Sequence, residues 1–168
     1  MVVQGMNVGA IDSREASRFI ERAIELAVEN VKIGGGPFGA LVVRDGKILG
    51  EGANRVTRDF DPTAHAEVVA MRAACKGEKQ FHLEGCVIYT SCEPCPMCLA
   101  AAYWAHIPQI YYAADAQSAA GAGFADAFMY EQFRLPREKR DIALIHVPHV
   151  DAERAFENWN KNAERVEY

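Results

Sequence analysis

No apolar run in this sequence approaches the roughly 20 residues that a bilayer-spanning helix needs, so no membrane partner is expected. The first residues, MVVQGMNVGAIDSRE, lack a basic stretch followed by an apolar core. No export signal is therefore read, and the cytoplasm is the expected location. A basic surplus is missing too: 18 Lys and Arg stand against 23 Asp and Glu, a net charge of -5. Phosphate backbones are bound by clustered cations, and the densest basic stretch, PREKR ending at Arg140, is interrupted by Glu138. A nucleic-acid partner is not expected. No internal repeat, low-complexity segment or linker-like stretch is present, so residues 1–168 read as one domain with 1–11 as a loose arm. A chain of this length buries roughly 70% of the surface its unfolded form exposes, so disulfide staples are not needed. Five cysteines in a reducing compartment instead suit a metal or catalysis.

What is present is an ordinary globular composition, 50% hydrophobic and 24% charged, arranged as alternating helix and strand signals. Asp12 followed by Glu15 is a capping box. Ala16, Phe19, Ile20, Ala23, Ala27 and Val31 then recur at helical spacing, and Gly34-Gly35-Gly36-Pro37 ends the helix. Residues 38–44 and 47–51 read as strands joined by Asp45-Gly46, the dipeptide of a type I′ hairpin turn. After a loop at 56–62, Thr63 is the expected N-cap of a helix reaching Cys75. A strand at 86–90, a helix from Pro96 to about Trp104 and a strand at 110–114 make a parallel crossover unit. Trp104 is expected in the core. Asp126 to Phe133 reads as a short helix, 142–147 as a fifth strand, and Asp151 as the cap of a last helix with an apolar stripe through Trp159.

One stretch stands apart. YTSCEPCPMC, from Tyr89 to Cys98, holds three of the five cysteines and two prolines. Cys95 and Cys98, three apart at a helix start, project the same way, and the free backbone N–H groups there favour the thiolate form that ligates metals. Upstream, TAHAE places His65 and Glu67 two apart near the start of another helix. Packed side by side, the two helix starts bring His65, Cys95 and Cys98 around one zinc ion and leave a fourth tetrahedral position open, the arrangement of catalytic rather than structural zinc. Glu67 is the acid placed to take a proton from water at that position. Cys92 is either a fourth ligand, closing a structural site, or a buried thiol at the strand end; the second is expected. His82, His106, His146 and His149 have no partners at ligand spacing, nor are Cys75 and Cys86 paired at it.

H-x-E followed by P-C-x-x-C is the signature of zinc-dependent base deaminases, and TAHAEVVAMRAAC with YTSCEPCPMCLAAAYWA resembles the cytidine-deaminase superfamily. GGPFGALVV, FDPTAHAE, IYYAADAQSAAGAGFADAF and the closing Glu167-Tyr168 carry the likeness, over roughly Phe19 to Trp159, toward the bacterial guanine deaminases within it. The resemblance implies a three-layer α/β/α sandwich around a mixed five-stranded sheet. It implies one zinc per chain on His65, Cys95 and Cys98, with Glu67 as the proton shuttle. Phe38 would stack on the base, Asn54 and Asp126 would hydrogen-bond its polar edges, and Tyr168 would close the pocket. The implied reaction is hydrolysis of guanine to xanthine and ammonia. Deamination of guanosine, cytosine, a pterin or tRNA adenosine is the alternative, or a structural-zinc module without turnover. A homodimer is implied, its C-terminal segment, about 148–168, exchanged between subunits. Where the family has two consecutive acids after Gly-Phe, this chain has Ala125 and Asp126.

Overall fold

The computed structural model describes residues 13–124 and 126–167; the expected arm at 1–11, the Asp12 cap and Tyr168 lie outside them. The chain divides into two compact units after Tyr130.

The first unit begins with α1 (Ser13–Lys32), whose apolar stripe buries Phe19, Ala23 and Ala27. Gly34, at φ 83°, ends it in the left-handed region that glycine adopts without strain. A hairpin follows, β1 (Gly39–Arg44) and β2 (Lys47–Ala53). Its turn has Asp45 at φ 52° and Gly46 at φ 72°, as type I′ geometry requires. After a single helical turn, α2 (Val56–Asp59), come α3 (Ala66–Glu78), β3 (Val87–Cys92), α4 (Pro96–Trp104), β4 (Gln109–Ala114), α5 (Ala116–Gly121) and α6 (Asp126–Arg134). The strands form one mixed sheet in the order β2-β1-β3-β4. β1 runs antiparallel to β2 and β3, and β3 runs parallel to β4 through the α4 crossover.

Side chains alternate across the sheet. Leu41, Val43, Val87 and Tyr89 face α1 through Phe19 and Ala23. Ala40, Val42 and Ile88 face the other way, onto α3 through Ala66, Ala70 and Met71, and onto α4 through Cys98 and Ala102. Leu41 and Ile88 are wholly buried, each worth roughly 1.5–3 kcal/mol. The result is a helix–sheet–helix sandwich. At Gly50 and Gly52 of β2 a Cβ would collide with the carbonyl oxygens of Ala70 and Ala66. The backbone of α3 therefore lies directly on the strand, which fixes the height of its first turn.

Four sequence expectations differ. Thr63 does not cap α3: its hydroxyl donates to Asp61 Oδ1 at 2.6 Å, and the helix starts after His65, whose backbone is extended at φ -67°, ψ 155°. Trp104 is 67% exposed rather than in the core. Four strands, and no fifth, stand among the described residues. Residues 142–147 belong to the second unit and have no regular secondary structure, with Ile142 79% and Ile145 82% exposed. Their apolar run fits a strand, yet a strand also needs an edge to pair with, and the second unit contains none among the described residues. That unit holds the last turn of α6, a 3₁₀ turn (Arg137–Lys139) and α7 (Arg154–Lys161). α7 begins three residues beyond Asp151, with Glu153 at the N-cap position and no side-chain cap.

Candidate active site

His65 and Cys95 are the N-cap residues of α3 and α4, and neither side chain caps its own helix. Both are aimed instead at the space between the two helix starts. Pro96 at the first position of α4 needs no hydrogen-bond partner for its nitrogen, and one turn on, Cys98 returns to the same side. The three ligand atoms form a near-equilateral triangle: Cys95 Sγ to His65 Nδ1 3.5 Å, Cys98 Sγ to His65 Nδ1 3.6 Å, and Cys95 Sγ to Cys98 Sγ 3.6 Å. Zinc–sulfur bonds of about 2.3 Å and zinc–nitrogen bonds of about 2.0–2.1 Å at the tetrahedral angle require edges of roughly 3.5–3.8 Å. The triangle matches one face of that tetrahedron, with Nδ1 as the histidine donor.

The charges agree with the geometry. Cys95 is held well below the ordinary thiol range by its hydrogen bond from Cys98 and by neighbouring His65. Cys98 is driven up by the same shared proton and by burial. Two sulfurs this close cannot both ionise unaided, and a dication between them is what permits it. The hydrogen bond to Cys95 raises the His65 imidazole above its usual value.

Glu67, in the first turn of α3, is 7% exposed, and its Oε2 lies 3.3 Å from Cys98 Sγ. Burial pushes its carboxyl up to about 7. Cys92 is outside the triangle. It is buried at the end of β3 and donates to the Asp115 carbonyl at 3.6 Å, so the cluster stays at three protein donors with one side open.

That side opens into a cavity of about 410 Å³ whose lining includes Phe38, Asn54, His65, Glu67, Cys95 and Asp126. Of the four residues expected to touch a base, three thus share one pocket, and Tyr168 lies outside the described residues. Phe38 packs edge-on against Phe124, ring centres 4.8 Å apart at 83°. Asn54 is buried and its Oδ1 accepts from the Val56 amide at 3.3 Å. Asp126, at the start of α6, is half-buried, and burial and the Cys95 charge raise its carboxyl. Sequence reasoning missed Phe124 and Glu93 in the lining; Glu93 also anchors α5 by accepting from the Ala116 amide at 3.0 Å. A larger cavity of about 490 Å³ beside α4 and β4 contains none of the triangle's residues.

A second group, His82, Glu84 and His106, has ligand atoms within 4.8 Å of one another, although the two histidines are far apart in sequence. Their rings stack 4.1 Å apart at 17°, so the in-plane lone pairs run side by side instead of converging. This group does not match zinc geometry.

The family model for the cytidine and deoxycytidylate deaminase zinc-binding region matches residues 13–114. A guanine deaminase of Bacillus subtilis is 49% identical over 89% of this chain and 97% of its own length. The X-ray structure of guanine deaminase from Bacillus subtilis aligns at a TM-score of 0.87 and 48% identity, covering 90% of this chain and 98% of that one. A tRNA-specific adenosine deaminase of Aquifex aeolicus is 36% identical over 57% of this chain and 64% of its own length. The paired helix starts, the three-donor triangle and the buried acid therefore stand in a known lineage, and the chain belongs to the zinc-binding cytidine and deoxycytidylate deaminase family.

Proposed function

We propose that this chain hydrolyses guanine to xanthine and ammonia, with one zinc ion held by His65, Cys95 and Cys98. The observation that carries the reading is the buried carboxylate of Glu67 beside the donor triangle, facing a cavity large enough to admit a purine base. The match to a guanine deaminase over 97% of that protein's length supports the choice of base. The adenosine deaminase likeness spans only 57% of the chain, and the acidic total is unhelpful to an RNA substrate.

Zinc, when bound, supplies a Lewis acid that makes an adjacent water a nucleophile near neutral pH. Glu67 takes a proton from the attacking water as the carbon–oxygen bond forms. It delivers that proton to a neighbouring ring nitrogen, then takes the second proton from the hydroxyl now on the carbon and passes it to the amine as the carbon–nitrogen bond breaks and the carbonyl forms. Water and guanine thus give xanthine and ammonia with Glu67 returned to its starting state. Phe38 lies against the ring face, and Asn54 and Asp126 meet its donor and acceptor edges. Excluding water strengthens each of these contacts.

The working form is a homodimer in the cytoplasm that exchanges the segment at about 148–168. Ile142, Leu144, Ile145, Val147 and Val150, all more than 60% exposed in the second unit, are the apolar surface that a partner copy would cover. A reducing location keeps the thiol ligands free of disulfides.

The test is ammonia release from guanine, guanosine, cytosine and an RNA hairpin in one panel. Release from guanine well above the other substrates is expected. Release from the RNA with none from guanine overturns the substrate assignment.

A further inference from the structure

Asn30 lies in the last turns of α1, apart from the metal triangle and from the cavity lining. It is 3% exposed. A buried amide must place its polar atoms, and Asn30 does so with both hydrogens of one nitrogen. Nδ2 donates to the Gly36 carbonyl at 2.8 Å and to the Asn54 carbonyl at 2.7 Å. Two facing carbonyls accept only from the NH₂ end, so the amide cannot be reversed. Asn30's backbone carbonyl accepts from the Gly35 amide at 2.9 Å.

Both acceptors belong to the wall of the cavity. Asn54 is held from its other side as well, because its amide donates to the Phe38 carbonyl at 3.0 Å. The turn between them has no slack. A Cβ on Gly35 would collide with the Asn30 side chain, and one on Gly36 would lie 2.9 Å from Asn54 Cγ. The end of α1, the glycine turn, Phe38 and Asn54 are thus wedged into one unit with Asn30 at its centre. The Asn30 side-chain bonds do not reach α3 or α4, which carry Glu67 and the metal donors.

We propose that Asn30 is a positioning residue for base recognition. It sets the wall formed by Phe38 and Asn54, and so governs substrate affinity separately from the proton chemistry of α3 and α4. The inference rests on the purine-base reading given above.

The test uses zinc-loaded full chains carrying Asn30→Asp, which turns a donor into an acceptor against two carbonyls, and Asn30→Ser, which removes the donor without adding charge. The two Asn30 variants decide, either one sufficing if it folds; a third, Gly36→Ala, presses on Asn54 with Asn30 intact and shows what displacing that wall alone does to KM. Steady-state kinetics with guanine should show KM raised about tenfold or more, kcat within about threefold, and zinc unchanged at one per chain. A lowered melting temperature with KM unchanged overturns the proposal, leaving Asn30 a purely structural residue. So does loss of kcat with loss of zinc. An unaltered chain that releases no ammonia from guanine removes the substrate reading itself, and the role of Asn30 with it. Turnover with KM unchanged in every folded Asn30 variant removes only the role of Asn30.

Discussion

At the scale of single residues, a ligand set is readable when chemistry and spacing are both local. Cys95 and Cys98 share one turn of α4, and His65 and Glu67 share one helix start; each half of the motif was visible in the sequence. Cys92 needed the structure, because only its bond to the Asp115 carbonyl shows that its thiol is already engaged. Asn30 and Phe124 carry no local signature at all. Their parts come from tertiary contacts with Gly36, Asn54 and Phe38. X-ray absorption on the zinc-loaded chain should count two sulfur and one nitrogen protein donors. Three sulfurs would return Cys92 to the ligand set and make the centre a closed one.

Secondary-structure elements position these residues through two devices. The first is the pairing of helix starts: the N-cap positions of α3 and α4, left without their usual side-chain caps, are spent on ligands. That spending explains why Thr63, a residue well suited to capping, sits two positions too early. The second is the direct seating of α3 on β2 at Gly50 and Gly52. Gly52→Ala should force α3 outward at Ala66, beside Glu67. Overpacking of this kind costs about 1–3 kcal/mol, and displacing the acid by about 1 Å should cost roughly 100-fold in turnover. Gly77→Ala is the control on the same helix. A Cβ there meets only Leu49 O at 4.0 Å, so the variant should gain roughly 0.5–1 kcal/mol from helix propensity. Equal melting temperatures and equal activity for the two variants would contradict the seating of α3. The type I′ hairpin was legible because Asp-Gly dictates its own backbone. The expected strand at 142–147 is not formed among the described residues, since a strand exists only where an edge receives it, and pattern alone names no partner.

For the whole molecule, the metal and the fold of the first unit depend on each other. Two thiols that share a proton in a buried pocket become two ionised ligands only around a cation. Removing zinc with a chelator should therefore lower the melting temperature by several degrees, roughly 5–10 °C for a stabilisation of about 2–3 kcal/mol. Restoring zinc should restore it, and an unchanged melting curve after verified metal loss would separate the site from stability. The architecture positions an open donor triangle, a buried acid and a cavity that admits a base at one end of α3 and α4. In the proposed function Glu67 moves the protons of a hydrolytic deamination. The most direct measurement is ammonia release from guanine by the unaltered chain and by Glu67→Gln, with zinc content determined on the same samples. One zinc per chain is expected in both, with turnover lowered roughly 1,000-fold or more in the variant. A zinc-loaded Glu67→Gln chain working within about tenfold of the unaltered one would contradict it.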